Sequence, residues 1–396
     1  LFRSMMRYLM RKHKKSKEKG RIRDMKNRMR LAAAALALSM AGFGLTGCGR
    51  ETKETAAKTE AADKQAGGAQ AADTQANGDQ AEGGQEEGSR TADGKRYKVA
   101  LCLSGAANDM GWCQSAYDGL KLLEADYGCE VTYTENLTPD DIEAAFADYA
   151  ASGYDVVIGH GYEFGDPAVD VAEQYPDTKF IVTEGEVSAD NVASYVSKCE
   201  EGGYIMGMLA AGMSESGKVG FIGPIQGASL VKIMNGFEDG AKEVNPDIQV
   251  QTAWTGSFTD TALGKEAAQA MIDNGADVIG HCANESGTGA INAAKEAKVY
   301  ATGDSYDQND LAPDTILSSS VYHIPHVIEV AFKTVADGTF EGGINQLGMA
   351  DGAVSVAPYH NLDSAVPDEL KQKISDKIAA IESGTFEVTC DTKPRT

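Results

Sequence analysis

The sequence is short of the residues that most chemistries need. Its six histidines are scattered, and the one close pair, His323 and His326, has Pro325 between its members, a poor arrangement for two ligands of one metal. Seven cysteines include no Cys-x-x-Cys and no finger-like spacing, so the common zinc modules are absent. There is no Gly-x-Ser-x-Gly elbow and no Walker sequence, so neither an α/β-hydrolase nucleophile nor a P-loop ATPase is written here. Gly159-x-Gly-x-x-x-Gly165 is one residue too long for the dinucleotide fingerprint. Basic side chains are also scarce where they would matter. The chain has 36 Lys and Arg against 59 Asp and Glu; 13 of the former and 2 of the latter fall in residues 1–47, leaving a formal charge of −34 beyond them. A field of that sign repels phosphate backbones and argues against nucleic acid as a partner.

The first part of the chain reads as an export signal. Met25 to Arg30 is basic, Leu31 to Leu45 is apolar, and Leu45-Thr-Gly-Cys48 closes the run with small residues and a cysteine. At about 15 residues the run falls short of the roughly 20 that span a bilayer. The tetrapeptide resembles the lipobox of bacterial lipoproteins, which implies a diacylglyceryl group on Cys48 and cleavage before it. Residues 1–47 are therefore expected to be the signal region, with Met25 the expected start of translation. A basic arm for nucleic acid is the alternative for Leu1 to Asp24, and export would remove it. Gly49 to Lys95 has almost no large apolar side chain and is expected to be a disordered tether, with a reach on the order of 35–40 Å.

Residues 96–396 alternate apolar strands with helices. Strands are expected at Val99–Leu103, Cys129–Thr134, Asp155–Gly159 and Lys179–Thr183, with helices at Gln114–Tyr127, Pro139–Ala151, Pro167–Gln174 and Tyr204–Met213. The pattern restarts with strands at Lys218–Ile222, Ile248–Trp254, Asp277–Gly280 and Val299–Thr302, around helices at Leu230–Val244, Thr261–Asn274 and Gly289–Ala297. Continuous apolar strands alternating with helices mean parallel sheets covered on both faces. Two such runs imply an α/β architecture of two doubly wound lobes: lobe 1 at about 96–215 plus about 305–340, and lobe 2 at about 216–304 plus about 341–396. Late strands near Ile316–Val321 and Asn345–Val356 are expected to cross between them. The six cysteines after Cys48 are expected to be mostly free, buried thiols.

Ligands of open parallel sheets sit at the carboxyl ends of the strands. There the chain places Asp109 and Trp112, His160 and Glu163, Phe258 and Asp260, His281, Gly287, and Asp304. Aromatics offer flat faces, carboxylates accept hydrogen bonds from hydroxyl or ring N–H groups, and glycines admit close backbone approach. The set describes a cleft for a planar, hydroxyl-bearing small molecule. Each member also has a plainer reading. Asp109 and Asp260 could be helix caps, Trp112 and Phe258 packing residues, and His160 and His281 caps.

With these strand ends the sequence resembles the basic membrane protein (BMP) family of bacterial lipoproteins, which includes purine-nucleoside receptors. The resemblance rests on Asn108-Asp-Met-Gly-Trp-Cys-Gln114, Gly217-Lys-Val-Gly-Phe-Ile-Gly223, Asn235-Gly-Phe-Glu-Asp-Gly240, Gly256-Ser-Phe-Thr-Asp260, Gly275-Ala-Asp-Val-Ile279 and Asp307-Gln308. It implies the type I periplasmic-binding fold, two lobes joined by a hinge, and the role of substrate-binding protein for an ABC importer. It also implies a base held between Trp112 and Phe258 and read by Asp109, with Gly287 in a pocket-lining loop and Asp304 gripping a ribose diol. Cys113 stands where asparagine is common, and Tyr322 where nucleoside receptors carry a lysine that contacts the ligand. These departures leave a free purine base or another flat heterocycle open. The expected ligand-binding set is Asp109, Trp112, His160, Phe258, Asp260, Gly287, Asp304 and Tyr322, with no catalytic group, metal or cofactor. The implied partners are the small molecule, the permease and ATPase subunits, and the membrane through Cys48; the implied location is extracytoplasmic. A secreted nucleoside-processing hydrolase and a ligand sensor without transport are the alternatives.

Overall fold

Runs such as Lys98-Val-Ala-Leu-Cys-Leu103 are apolar on both sides of the strand, so they can only sit inside a sheet that is covered twice. The computed structural model describes residues 94–395 apart from 110 and 390. The signal region, Cys48 and the tether up to residue 93 lie outside the described residues.

The first half builds β1 (Lys98–Leu103), α1 (Trp112–Tyr127), β2 (Glu130–Thr134), α2 (Ile142–Ala151), β3 (Val156–His160), α3 (Gly165–Ala172), β4 (Lys179–Thr183) and β5 (Val192–Ser197). The second builds α4 (Cys199–Met213), β6 (Lys218–Gly223), α5 (Ala228–Val244), β7 (Gln249–Trp254), α6 (Thr261–Asp273), β8 (Val278–His281), α7 (Asn284–Ala297), β9 (Tyr300–Gly303) and β10 (Ile316–Tyr322). The chain then adds α8 (Ile324–Ala336), β11 (Ile344–Leu347), β12 (Val354–Val356) and α9 (Asp368–Glu382). The sheets run β11-β5-β4-β3-β1-β2 and β12-β10-β9-β8-β6-β7. All pairings are parallel except β10 with β12.

The expected lobe boundaries need correction. β10 is buried except at the half-buried Val321 and lies inside the second sheet, between β9 and β12. β11, with every other residue exposed, takes the edge of the first sheet beside β5. The stretch Asn345–Val356 is thus two strands in different sheets, parted by a turn of 3-10 helix at Met349–Asp351. Helix α4 packs on α5 and so belongs to the second lobe, while α8 packs on α1 in the first. The chain crosses between lobes three times, around 198, 323 and 350. Lys198 N–H donates to Leu347 O at 2.8 Å and His323 N–H to Ala353 O at 2.9 Å. A Glu201 carboxylate oxygen accepts from Met349 N–H at 2.7 Å.

Packing differs between the lobes. Helices α4 and α5 touch backbone to backbone through Gly203, Gly207, Gly236 and Gly240. A Cβ on Gly240 would lie 1.9 Å from Tyr204 O, and one on Gly207 2.0 Å from Phe237 O. In the first lobe, Gly119 of α1 faces α8 less tightly, with Ile328 Cδ1 2.9 Å and the Pro325 Cα 3.1 Å from where a Cβ would stand. Among the described residues, no helix is long and apolar enough to cross a membrane.

Candidate ligand-binding cleft

The backbone is unusual where strands end. Six described non-glycine residues have positive φ, and four of them lie within three residues of a strand's carboxyl end: Asn136, Glu184, Asn284 and Ser305. Such conformations persist where the surroundings enforce them, commonly at binding sites. Asn284 and Gly111 also mark where the lobes approach, since a Cβ on Gly111 would stand 3.5 Å from Asn284 Oδ1.

In the first lobe, Asp109 caps α1. One carboxylate oxygen accepts from Gly111 N–H at 2.9 Å and Gln114 N–H at 3.0 Å, and the other from Cys113 N–H at 3.0 Å. This satisfies donors that the first helical turn leaves free. Trp112, the first residue of α1, is half-buried and stacks on His160 with centroids 4.1 Å apart and planes inclined by 25°. His160 itself is fully buried at the end of β3. Its Nε2 lies 3.0 Å from Trp112 O and its Nδ1 2.7 Å from Thr183 Oγ1. A carbonyl only accepts, so Nε2 carries the proton and Nδ1 accepts from the threonine hydroxyl. Burial pushes the imidazole down to about 4, so it is neutral at pH 7. With both nitrogens engaged, His160 backs Trp112 and presents no atom to the cleft.

In the second lobe, Asp304 follows β9 and is buried. The Tyr322 hydroxyl, at the end of β10, donates to one carboxylate oxygen, and Ser305 Oγ donates to the other at 2.8 Å. Burial pushes the carboxyl up to about 6, against the opposing pull of these two hydroxyls. Gln308 Oε1 accepts both from Asp304 N–H and from His281 Nε2, each at 3.0 Å. Asp260 caps α6, accepting from Ala262 and Leu263 N–H. Phe258 is exposed in the loop after β7. Gly287 is inside α7 and not in a loop, because the helix starts at Asn284, five residues ahead of expectation. A Cβ there would stand 2.0 Å from His281 Nδ1, so its small size serves packing.

A hollow of about 230 Å³ lies between the lobes, lined by Trp112, Ser115 and Asp118 of α1, by Ser305 and Tyr306, and by Tyr322. The structure thus brings Trp112 and Tyr322 to one cavity, with Asp304 bonded to the latter; Phe258 and Asp260 do not line it. Ser305 and Tyr306 were missed, although the sequence shows an aromatic two residues past Asp304. A larger hollow of about 600 Å³, with Asp277, Lys295 and Tyr300 on its walls, sits at the opposite, amino ends of the second sheet's strands. The five described cysteines after residue 93 are free and buried. Among the described residues, no group of acids, histidines and cysteines could hold a metal. What the cleft offers is the Trp112 ring and the Asp118 carboxylate on one side and Ser305, Tyr306 and Tyr322 on the other, with Asp304 bonded behind Ser305 and Tyr322.

Known proteins share this organisation. The model of the Bmp family, ABC transporter substrate-binding protein PnrA-like, matches residues 96–391. A purine-binding protein of Brucella abortus is 34% identical over 294 residues, 73% of this chain and 82% of its own length. The transcriptional activator protein med of Bacillus subtilis is 32% identical, over 72% of this chain and 88% of its own. The crystal structure of an ABC transporter solute-binding protein from Aeropyrum pernix K1 superposes with a TM-score of 0.66 at 22% identity, covering 74% of this chain and 94% of that one. With the two-lobed parallel fold and the inter-lobe cleft, these matches place the chain in the Bmp, PnrA-like family of ABC transporter substrate-binding proteins.

Proposed function

We propose that the chain is a lipid-anchored receptor of an ABC importer, acting outside the cytoplasm, that closes its lobes on a purine nucleoside or a related flat heterocycle. The observation that carries the reading is the Trp112 ring, seated on His160 at the same inter-lobe hollow as Tyr322 and its partner Asp304. A base stacking on the indole meets one lobe, while hydroxyl or N–H groups donating to Asp304 meet the other. Such contacts contribute roughly 1–3 kcal/mol each. A ligand held by both lobes favours the closed state, which a permease can recognise. The hollow is smaller than the ~300–1,000 Å³ of sites for drug-sized ligands, so the lobes part to admit one. The Brucella relative named as purine-binding supports the ligand class.

Isothermal titration of purified protein with nucleosides, free purine bases and riboflavin tests this. A Kd on the order of micromolar or tighter for at least one is expected; no binding to any sinks the ligand class. Release of a free base or sugar during the titration would favour the hydrolase instead. A sensor without transport is the second reading, favoured by the name of the Bacillus subtilis relative. Nucleoside uptake by cells that lack only this chain separates the two: an importer component leaves uptake impaired, a sensor leaves it intact. Labelling of wild-type chain, but not Cys48→Ser, by a fatty-acid probe checks the anchor.

A further inference from the structure

Two histidines occupy matching places in the two lobes. His160 is the last residue of β3 and pairs with Leu103 on the neighbouring β1; His281 is the last residue of β8 and pairs with Ile222 on the neighbouring β6. Both are buried, and neither presents an atom to the inter-lobe hollow. Their hydrogen bonds select the same tautomer. His281 Nδ1 accepts from Ala283 N–H at 3.3 Å, and a backbone amide only donates, so Nε2 carries the proton and donates to Gln308 Oε1.

We propose that His160 and His281 are a pair of positioning residues: His160 seats the Trp112 ring, and His281, through Gln308, sets the loop that presents Asp304. The assignment deepens the preceding reading, in that it takes Trp112 and Asp304 as the ligand-facing groups. His160 makes two restraints that converge on Trp112, and His281 is tied to Ala283 at one nitrogen and to Gln308 at the other. His160 stacks on the indole and also holds the carbonyl of the same residue, so the ring is fixed relative to its own backbone. An indole has two faces. One lies on the imidazole, and the other is left for a ligand. In the second lobe, the oxygen that accepts from His281 also accepts from Asp304 N–H, while Gln308 N–H donates to Ser319 Oγ at 3.1 Å. Gly287 lets α7 close directly onto the His281 ring, which leaves the imidazole no room to turn. Burial pushes both rings to about 4, so they act as neutral hydrogen-bonding wedges and add no charge.

The test uses the full chain carrying Trp254→Phe, which leaves Trp112 as the one tryptophan of the two. Anisotropy and acrylamide quenching of Trp112 are read without ligand, hydrogen exchange is followed over residues 302–308, and inosine is the binding probe. His160→Ala is expected to lower the anisotropy, expose the indole and weaken inosine on the order of tenfold, with exchange at 302–308 unchanged. His160→Phe, which keeps a ring but loses both hydrogen bonds, is expected to fall between. Gln308→Met keeps the bulk and removes the shared acceptor. It is expected to speed exchange at 302–308 and weaken inosine similarly, with Trp112 emission unchanged. Unaltered Trp112 anisotropy in both His160 variants overturns the first half, and unaltered exchange in Gln308→Met the second. Loosening of both lobes by either change would show a merely structural role and overturn the whole. If the parent protein fails to bind inosine, a nucleoside as ligand is at fault, while the ligand-free measurements still decide this proposal.

Discussion

At the end of β3 the first lobe sets an imidazole under an indole; at the matching end of β8 the second sets an imidazole against a glutamine that holds an acid. The backbone route is the same and the delivered chemistry differs. One lobe contributes a flat apolar face whose worth depends on orientation. The other contributes Asp304 and Tyr322, whose worth depends on charge and proton position. Stacking tolerates many rings, while hydrogen bonds to a buried acid discriminate among them. On the proposed function, breadth of ligand class would reside in the first lobe and selectivity in the second. The lobes differ in rigidity as well. The second is clamped at a glycine seam, α4 on α5, where backbone meets backbone within about 2 Å of a Cβ's place, and the first packs α1 on α8 more loosely, against Ile328 and the Pro325 Cα.

That contrast can be broken first at the glycines. Gly240→Ala drives a methyl into Tyr204 O and should destabilise by about 3–5 kcal/mol, seen as a large fall in the urea midpoint. Gly119→Ala meets the movable Ile328 terminus at 2.9 Å and the Pro325 Cα at 3.1 Å, milder overlaps, and should cost only about 1–2 kcal/mol. Equal losses would erase the difference in packing.

The second contrast is charge. Asp304 holds its proton to about pH 6 in the fold against 3.8 for a free carboxyl. The folded state therefore binds more protons between those values, and stability falls as pH rises from 4 to 6 and stays lower above. Asp304→Asn should stabilise the ligand-free protein at pH 7.5 by on the order of 2–3 kcal/mol, with the gain vanishing below pH 4. Urea unfolding across that range checks it. The same variant should bind ligand worse, a trade of function against stability. Next, Trp112→Ala should cost about 1–3 kcal/mol of inosine affinity by titration, with no such pH signature. The smallest effect is expected at Asp260. As a cap, its change to alanine should lower stability by about 1 kcal/mol and leave affinity untouched. A clear loss of affinity would return it to the binding set.

Much of this was readable beforehand because continuous apolar runs announce buried strands and place their carboxyl ends. Those ends put Trp112 and Asp304 among the candidates, and the family resemblance gave them their expected roles. Other features depend on distant partners. Val192–Ser197 mixes serines with small and aromatic residues, and it becomes a strand only because β4 and β11 flank it. Helix α7 opens with Asn284 and carries Gly287 and Gly289, poor helix formers that are there to let other groups approach closely. The helix therefore starts five residues ahead of the expected Gly289. The α2 helix was started too early, at Pro139; it begins at Ile142, behind a turn. His160 looked like a cleft residue because it ends a strand. Its burial comes from Trp112 above and Thr183 beside it, the latter 23 residues away, and no local pattern records that.

The three crossings also bear on how the chain is made. The first lobe is begun at Lys98, yet its helix α8 and edge strand β11 end at Ala336 and Leu347, after the whole parallel core of the second lobe has been synthesised. During translation the β5 edge and the face later covered by α8 stay open for well over a hundred residues. Pairings of such sequence separation close slowly, and an unpaired strand edge invites association. A chain of this design therefore gains from staying unfolded until its last strands arrive, and the order of its segments makes completion of the first lobe wait on the second.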